Sequence, residues 1–574
     1  MSKPPRSSLS FPGVYIKEVP TPVRTITGVS TSVTAFIGVA KKGPANRPVK
    51  ITSFAEYERI YGGLIKESHL SYSVKYFFQN GGSCCYIVRV HDDNAKIATF
   101  EMDDKNDDDY NNECNLKLQA SSAGAWGANL DITISHDLDK DIKNLNGERE
   151  EGNDTNDDDN DNATTFSLIV KDKETGACEV FFNVSTKKNN KRFIANLVNK
   201  MSKHIRVSGY VDGERKPKEG HFKLVDGSAS DGSYYLQDSI IIGKPSNGNA
   251  VGVNGSSGTG IYSVDDIIDT FNVMCIPPYN KENTTSNAVY RKALEYCESK
   301  HAILLIDPPY EWTKNNDNNT AIKKIPCREE LDKRLENLRH PNAAMYFPHI
   351  RAQDLLSGGD THSFVPSGAV AGVIARTDSK EGVWKPPAGA DANIIGVSEL
   401  ELELTNEESG RLNELGVNCL RTIPSAGIVV WGSRTLAKKG EEDDGPISLW
   451  KYLPVRRTAL SIEASIYRGT QWVVFEPNDE PLWSQIRLHA CAFMYELFRQ
   501  GAFQGNTPDK AYFVKCDRET TTQDDINKGI VNIIVGFAPL KPAEFVILNI
   551  QKTEVGRLHS ICNNNNGKNM KQEK

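Results

Sequence analysis

No apolar run in this 574-residue chain approaches the roughly 20 residues that a membrane-crossing helix needs, so a helical span is not expected. The opening MSKPPRSSLSFPG lacks an apolar h-region and does not read as a secretory signal. Cysteine is sparse: 11 in all, an odd number, with no CxxC pair and only Cys84 and Cys85 adjacent. That pattern favours reduced thiols in a cytosol-like compartment over disulfides or zinc. It also takes the weight from the Asn-X-Ser/Thr matches at Asn183 and Asn283. An excess of positive charge is missing too. Sixty-eight Lys and Arg face 75 Asp and Glu, a formal net charge of -7, which argues against a dedicated nucleic-acid binder.

The motifs of the common enzyme classes are equally absent. There is no GxSxG, HExxH, GxGxxG or GxxxxGK[ST], and the 11 histidines are dispersed. Asp307 ends the apolar stretch AILLID, as in the magnesium-binding strand of P-loop ATPases, but has no phosphate loop to work with. Cys516 and Asp517 have no histidine nearby in sequence, and Cys516 reads as a small buried residue. The tracts EMDDKNDDDYNNE and DTNDDDNDN are dense in Asp and Asn. They lack the central Gly and terminal Glu of a calcium loop and read as solvated loops. No catalytic residue, metal ligand or cofactor is expected.

What is present is an alternation of strands and helices. TAFIGVA, CCYIVRV, AILLID and NAAMYF are apolar on both faces and read as buried strands. Between the first two, Ser53 caps one predicted helix and Gly81 ends a second, giving a βαβ-type unit. YSVDDII and residues 286–300 are predicted helices, and CLRTIPSAGIVVW is a predicted hairpin. The segment FVPSGAVAGVIARTDSK predicts a helix whose Gly and Ala let it pack closely on a neighbour. The fold class expected is α/β (α+β), multidomain, with layered sheets and helices and an inserted domain. The predicted organisation is an extended N-terminal segment (1–30), core domain (31–100), inserted α/β domain (101–261), core domain resumed (262–400), C-terminal domain (401–553) and polar tail (554–574).

Residues 456–517 organise the C-terminal part. Asn478 and Asp479 can cap a helix start, with Pro481 early in its first turn. Leu482, Ile486, Phe493, Met494, Leu497 and Phe498 recur at helical spacing, and Gly501 ends the run. WVVFE (472–476) and AYFVKC (511–516) flank it as predicted strands. The stretches TQWVVFEPNDEPLW, GNTPDKAYFVKCD, TTTQDDINKG and APLKPAEFVIL resemble the C-terminal domain of contractile tail sheath proteins, the family of phage tails and phage-like extracellular injection systems. FPGVYIKEVPTPVRTITGV resembles that family's opening, and Trp384-Lys385-Pro386-Pro387-Ala388-Gly389 its central signature.

The resemblance implies a structural subunit, not an enzyme, that stacks helically around an inner tube and contracts without nucleotide to drive the tube through a membrane. It implies arms that link subunits by strand addition, here Val14, Tyr15 and Ile16 at one end and Phe545, Val546, Ile547 and Leu548 at the other. It implies that the inserted domain lies on the outer surface. For the tube, the polar side of helix 481–500 with Arg487 and Arg499 is the candidate contact. The partners implied are further copies of the chain, the tube, baseplate and terminator proteins and paralogous sheath subunits, with no nucleic acid and no stable membrane insertion. Assembly is expected in the bacterial cytoplasm. A type VI secretion-like sheath component is the nearest alternative and a cytosolic enzyme of unidentified class the more distant one. One chain carrying the complete domain set favours the first reading over two-chain type VI sheaths.

Overall fold

The computed structural model describes residues 25–102, 116–136, 165–209, 217–245, 258–267, 270–279, 284–313, 326–438 and 448–544. The fold is α/β and multidomain. The first half of the core runs β1 (Thr34–Gly38), β2 (Val49–Ile51), α1 (Phe54–Tyr61), α2 (His69–Gln79) and β3 (Cys85–Arg89). Ser53 accepts the Glu56 N–H at the start of α1. Gly81, at φ +105°, closes the turn after α2. β1 and β3 pair in parallel, completing the expected unit, while β2 adds an antiparallel edge that three residues gave too little pattern to reveal.

The insertion follows: β4 (Thr99–Met102), β5 (Lys117–Ala120), β6 (Leu130–Ser135), β7 (Thr165–Asp172), β8 (Cys178–Ser185), α3 (Ile194–Met201), β9 (Ile205–Gly209) and β10 (Gly220–Leu224). They form one seven-stranded sheet in the order β8-β7-β6-β10-β4-β5-β9. Every pairing in it is antiparallel. Phe100, Ile132, Leu168 and Ile194 lie in its own core. Two corrections to the sequence reading follow. Among its described residues the insertion is an antiparallel sheet with one eight-residue α-helix, not an α/β layer: β4 with β5, and β6 with β7 and β8, pair antiparallel with their neighbours in sequence, and only β8 and β9, at opposite edges, are joined through an α-helix. Its limits also shift: β4 begins at Thr99, and Leu236, Ile241 and Ile261, expected inside it, are buried in the main core.

The main domain resumes with α4 (Asp238–Ile242), a 3-10 turn (Gly260–Asp266) where a regular helix was predicted, β11 (Val273–Cys275), α5 (Asn287–Ser299), β12 (Ile303–Ile306), α6 (Arg328–Leu335) and β13 (Ala343–Phe347). Then come β14 (Ile350–Gln353), β15 (Thr361–Phe364), α7 (Ser367–Lys380), β16 (Glu399–Leu400), α8 (Asn406–Glu414), β17 (Val417–Ile423) and β18 (Gly427–Trp431). The main sheet has eight strands in the order β18-β17-β13-β12-β11-β1-β3-β2, with a separate apolar core on each face. Full burial of β1, β3, β11, β12 and β13 explains their unbroken apolar sequences. α7 crosses α2 at close range, as its Gly and Ala content suggested: a Cβ on Gly368 would lie 2.2 Å from the Ser73 carbonyl oxygen.

The chain then gives α9 (Leu453–Gly469), α10 (Glu480–Arg499), α11 (Pro508–Ala511), β19 (Tyr512–Lys515), α12 (Gln523–Asn527) and β20 (Ile534–Phe537). Because β17 and β18 are strands of the main sheet, the domain limit expected at 400/401 moves to the connection that follows β18. The predicted strand 472–476 is instead a 3-10 turn at Gln471–Val473 followed by Phe475 at φ +71°, a backbone no strand contains. Arg456 and Arg457 lie inside α9.

Candidate functional site

Open parallel sheets carry ligands where strand order reverses, beyond the carboxyl ends of the strands. Here that point lies between β1 and β11. Arg89, at the end of β3 on the other side of β1, is 2% exposed. Its Nε donates to the Ala40 carbonyl at 2.9 Å, and its Nη1 and Nη2 donate to Gly43 at 2.9 Å and Ala123 at 2.7 Å. Burial pushes this guanidinium down to about 10. Leu236, Ile261 and Tyr279 pack into the same core as Val39 and Ile276 beside it. The crevice is filled by the chain itself, and the insertion is tied to the β1 exit through the Ala123 carbonyl.

Asp307, at the end of β12, does not face solvent. Its carboxylate accepts the Ser367 N–H at 3.0 Å and the Ser367 hydroxyl at 2.8 Å at the start of α7. Burial, opposed by those two hydrogen bonds, pushes it up to about 7. Its role is to join strand to helix. Cys516 is buried behind α10, and burial pushes its thiol up to about 11, opposite to what a nucleophile needs. A polar cleft of about 600 Å³ opens beside the end of α7, lined in part by Arg376, Lys380, Glu381, Lys385 and Asn393. Arg376 is committed to Asn393, and Lys385 to Glu381 at 2.9 Å. Among the described residues no group of three metal-ligating side chains comes together. No helix among them is long and apolar enough to cross a membrane.

The C-terminal module is built differently. Asp479 accepts the Leu482 N–H at 3.1 Å, and Pro481 stands in the first turn of α10. Ile486, Phe493 and Met494 are buried; Leu497 and Phe498 pack at the margin. β19 and β20 form a ribbon of two strands, Tyr512 opposite Phe537 and Lys515 opposite Ile534. One face, with Tyr512, Val514, Val535 and Phe537, packs on α10 and its neighbours. The other leaves Phe513 52% and Ile534 48% exposed. The Phe513 ring lies over Gly536, where a Cβ would meet it at 2.3 Å. Among the described residues no third strand joins this ribbon; the single bridge Phe503–Pro539 lies beyond its end. A two-stranded ribbon is marginal alone and keeps unpaired edges.

Arg487 and Arg499 occupy different parts of the α10 surface. Arg487 donates to the Cys516 carbonyl, to Glu480 and to Ser484, and so ties the start of α10 to the end of β19. Arg499 is exposed at the last turn. The two differ by roughly 120° around the helix at about 100° per residue. The outward stripe near Arg499 is not simply polar: it includes Leu488, 67% exposed, Ala492, and Tyr495, 47% exposed. Their i, i+4, i+7, i+11 spacing was readable in the sequence but was masked by the stronger buried stripe. Val14, Tyr15, Ile16, Phe545, Val546, Ile547 and Leu548 lie outside the described residues.

Comparison with known proteins places this module in context. Residues 268–436 match the phage tail sheath protein central domain, and residues 447–553 the phage tail sheath C-terminal domain. A tail sheath protein of Vibrio phage KVP40 is 22% identical over 259 residues, 44% of this chain and 37% of that protein. One from Burkholderia phage BcepMu is 23% identical over 267 residues, 45% of this chain and 51% of that protein. The chain thus spans about a third to a half of these relatives' length. In three dimensions it is similar to the PVC sheath of an extracellular contractile injection system in its contracted state, with TM-score 0.52, 20% identity and coverage of 96% of this chain and 99% of that one.

Proposed function

We propose that this chain, which belongs to the contractile tail sheath family, does mechanical work: it polymerises helically around an inner tube and contracts to drive that tube through a target membrane. It is a structural subunit, and the family match argues for that role over an enzymatic one. The observation that carries the assembly reading is the incomplete β19–β20 ribbon, placed in the segment that matches the sheath C-terminal domain. Strands from the terminal segments of neighbouring copies, through Val14–Ile16 and Phe545–Leu548, would supply the missing pairing. Such links hold subunits together while their bodies rotate into a tighter lattice. The insertion then decorates the outside of the cylinder. Baseplate and terminator proteins nucleate and cap the assembly, paralogous sheath subunits share its lattice, and it is built in the bacterial cytoplasm.

For the tube we assign the exposed stripe Leu488, Ala492, Tyr495 and Arg499, with Arg487 as an internal tie. Two exposed apolar side chains and one cation are enough for a contact that forms in the extended state and parts on contraction. The test is co-expression with a candidate tube protein and negative-stain microscopy. The wild-type chain is expected to form ridged cylinders with a filled lumen. A Leu488→Asp/Tyr495→Asp variant is expected to form cylinders with an empty lumen, because a carboxylate at each site is repelled from an apolar contact. Filled cylinders from the variant contradict the stripe assignment; a wild-type chain that stays monomeric with its tube contradicts the function.

A further inference from the structure

Residues 25–33 lie between the N-terminal segment and β1, and they are bound far more firmly than a connector needs to be. Ile26 is buried among Ile462, Phe493 and Met494 of the C-terminal module. It sits against Gly469, where a Cβ would lie 2.7 Å from its Cγ1. The Val29 N–H donates to the buried Ser465 hydroxyl at 3.1 Å. The Thr31 hydroxyl donates to Asp378 Oδ2 at 2.7 Å, and Arg457 Nη2 donates to the Thr31 carbonyl at 3.0 Å. Arg457 and Asp378 form a two-pronged pair of 2.9 and 2.5 Å, and their side chains are only 3% and 4% exposed. The segment therefore straps α9 of the C-terminal module to α7 of the main domain before entering β1.

We infer that the Thr31–Asp378–Arg457 knot is the anchor of the N-terminal linking arm, so that tension arriving from a neighbouring subunit is delivered into α7 and α9 and does not peel the arm away. The inference rests on the arm reading given above. The chemistry suits the task. Peeling the strap would strip Thr31 from both members of a dry ion pair, and groups left short of partners in a low dielectric resist each increment of detachment. An apolar strap held by Ile26 alone could slide. The bidentate pair and the Thr31 carbonyl fix one register.

The test pairs Thr31→Val with the double variant Arg457→Met/Asp378→Leu, which removes both charges together and so leaves no unpaired buried ion. Amide hydrogen exchange is measured on the full-length chain, with wild type and variants in the same assembly state. The amides of residues 25–33, Val29 above all, are expected to exchange at least tenfold faster in the double variant and several-fold faster in Thr31→Val. Exchange in β1 and β12 stays at wild-type rates. Unchanged protection of 25–33 in a variant with an intact core overturns the anchor. Should the double variant fail to fold, Thr31→Val alone decides by the same criterion. Assembled cylinders give the second readout: variant sheaths form but fragment when contraction is triggered, whereas variant sheaths that contract intact overturn the anchor. Failure of the wild-type chain to assemble at all contradicts the sheath reading and leaves the exchange result standing.

Discussion

Replacing Gly368 with valine is expected to unfold the main domain or to cost it roughly 3 kcal/mol or more, among the largest effects a single substitution has. A Cβ there would lie 2.2 Å from the Ser73 carbonyl oxygen and 2.6 Å from the Ser73 Cα, both backbone atoms that cannot move without moving α2. A Cβ on Gly372, one turn on, would lie 2.5 Å from the Phe77 carbonyl oxygen in the same crossing. The two glycines set the approach of α7 to α2, and that approach sets the layer over β11 and β12. Soluble yield and denaturant midpoint measure the effect. A Gly368→Val protein within about 1 kcal/mol of wild type would show that the crossing is not close-packed.

The second large effect depends on pH. Burial raises Asp307 from an ordinary 3.8 to about 7, so the folded state holds this proton over a range where the unfolded chain has released it. The contribution is fully present below about pH 4 and is lost as pH rises through 7, because the folded state binds more protons across that window. Three units correspond to about 4 kcal/mol. Asp307→Asn keeps an oxygen for the Ser367 N–H and turns the other contact into an amide donor to the Ser367 hydroxyl. The variant is expected to be more stable than wild type at pH 8, with that advantage shrinking steadily towards pH 4. Unfolding midpoints of both proteins across this range check it. Parallel pH profiles would mean that Asp307 is ionised without penalty in the folded protein.

The legibility of the chain follows from how local each signal is. Helix caps at Ser53 and Asp479 and the hairpin turn before Gly427 are fixed by adjacent residues and were readable. So were strands buried on both faces, such as Ile303–Ile306. What escaped depends on partners distant in sequence. β10 pairs with β4 across more than a hundred residues, and neither strand alone carries a distinctive pattern. The assignment of β17 and β18 to the main sheet rests on β17 pairing with Met345–Phe347, not on any composition shift near residue 400. Trp472 to Glu476 looked like a strand by residue type, yet Phe475 turns left-handed and stands fully exposed. At the candidate site, the buried face of α10 was legible, but the contacts of Arg487 with Cys516 and Glu480 were not, because they are defined only once α10 and β19 meet.

The central claim is that copies of this chain build a cylinder by lending each other terminal strands. A truncation lacking residues 1–24 tests it most directly, since it removes Val14, Tyr15 and Ile16 but spares the buried Ile26 and its strap. Removing three more residues would take Ile26 with them and confuse linkage with folding. Full-length and truncated proteins would be compared by negative-stain microscopy and by sedimentation. The account expects hollow, ridged cylinders from the full-length chain and a folded monomer from the truncation. Cylinders of normal length and diameter from the truncated protein would contradict it.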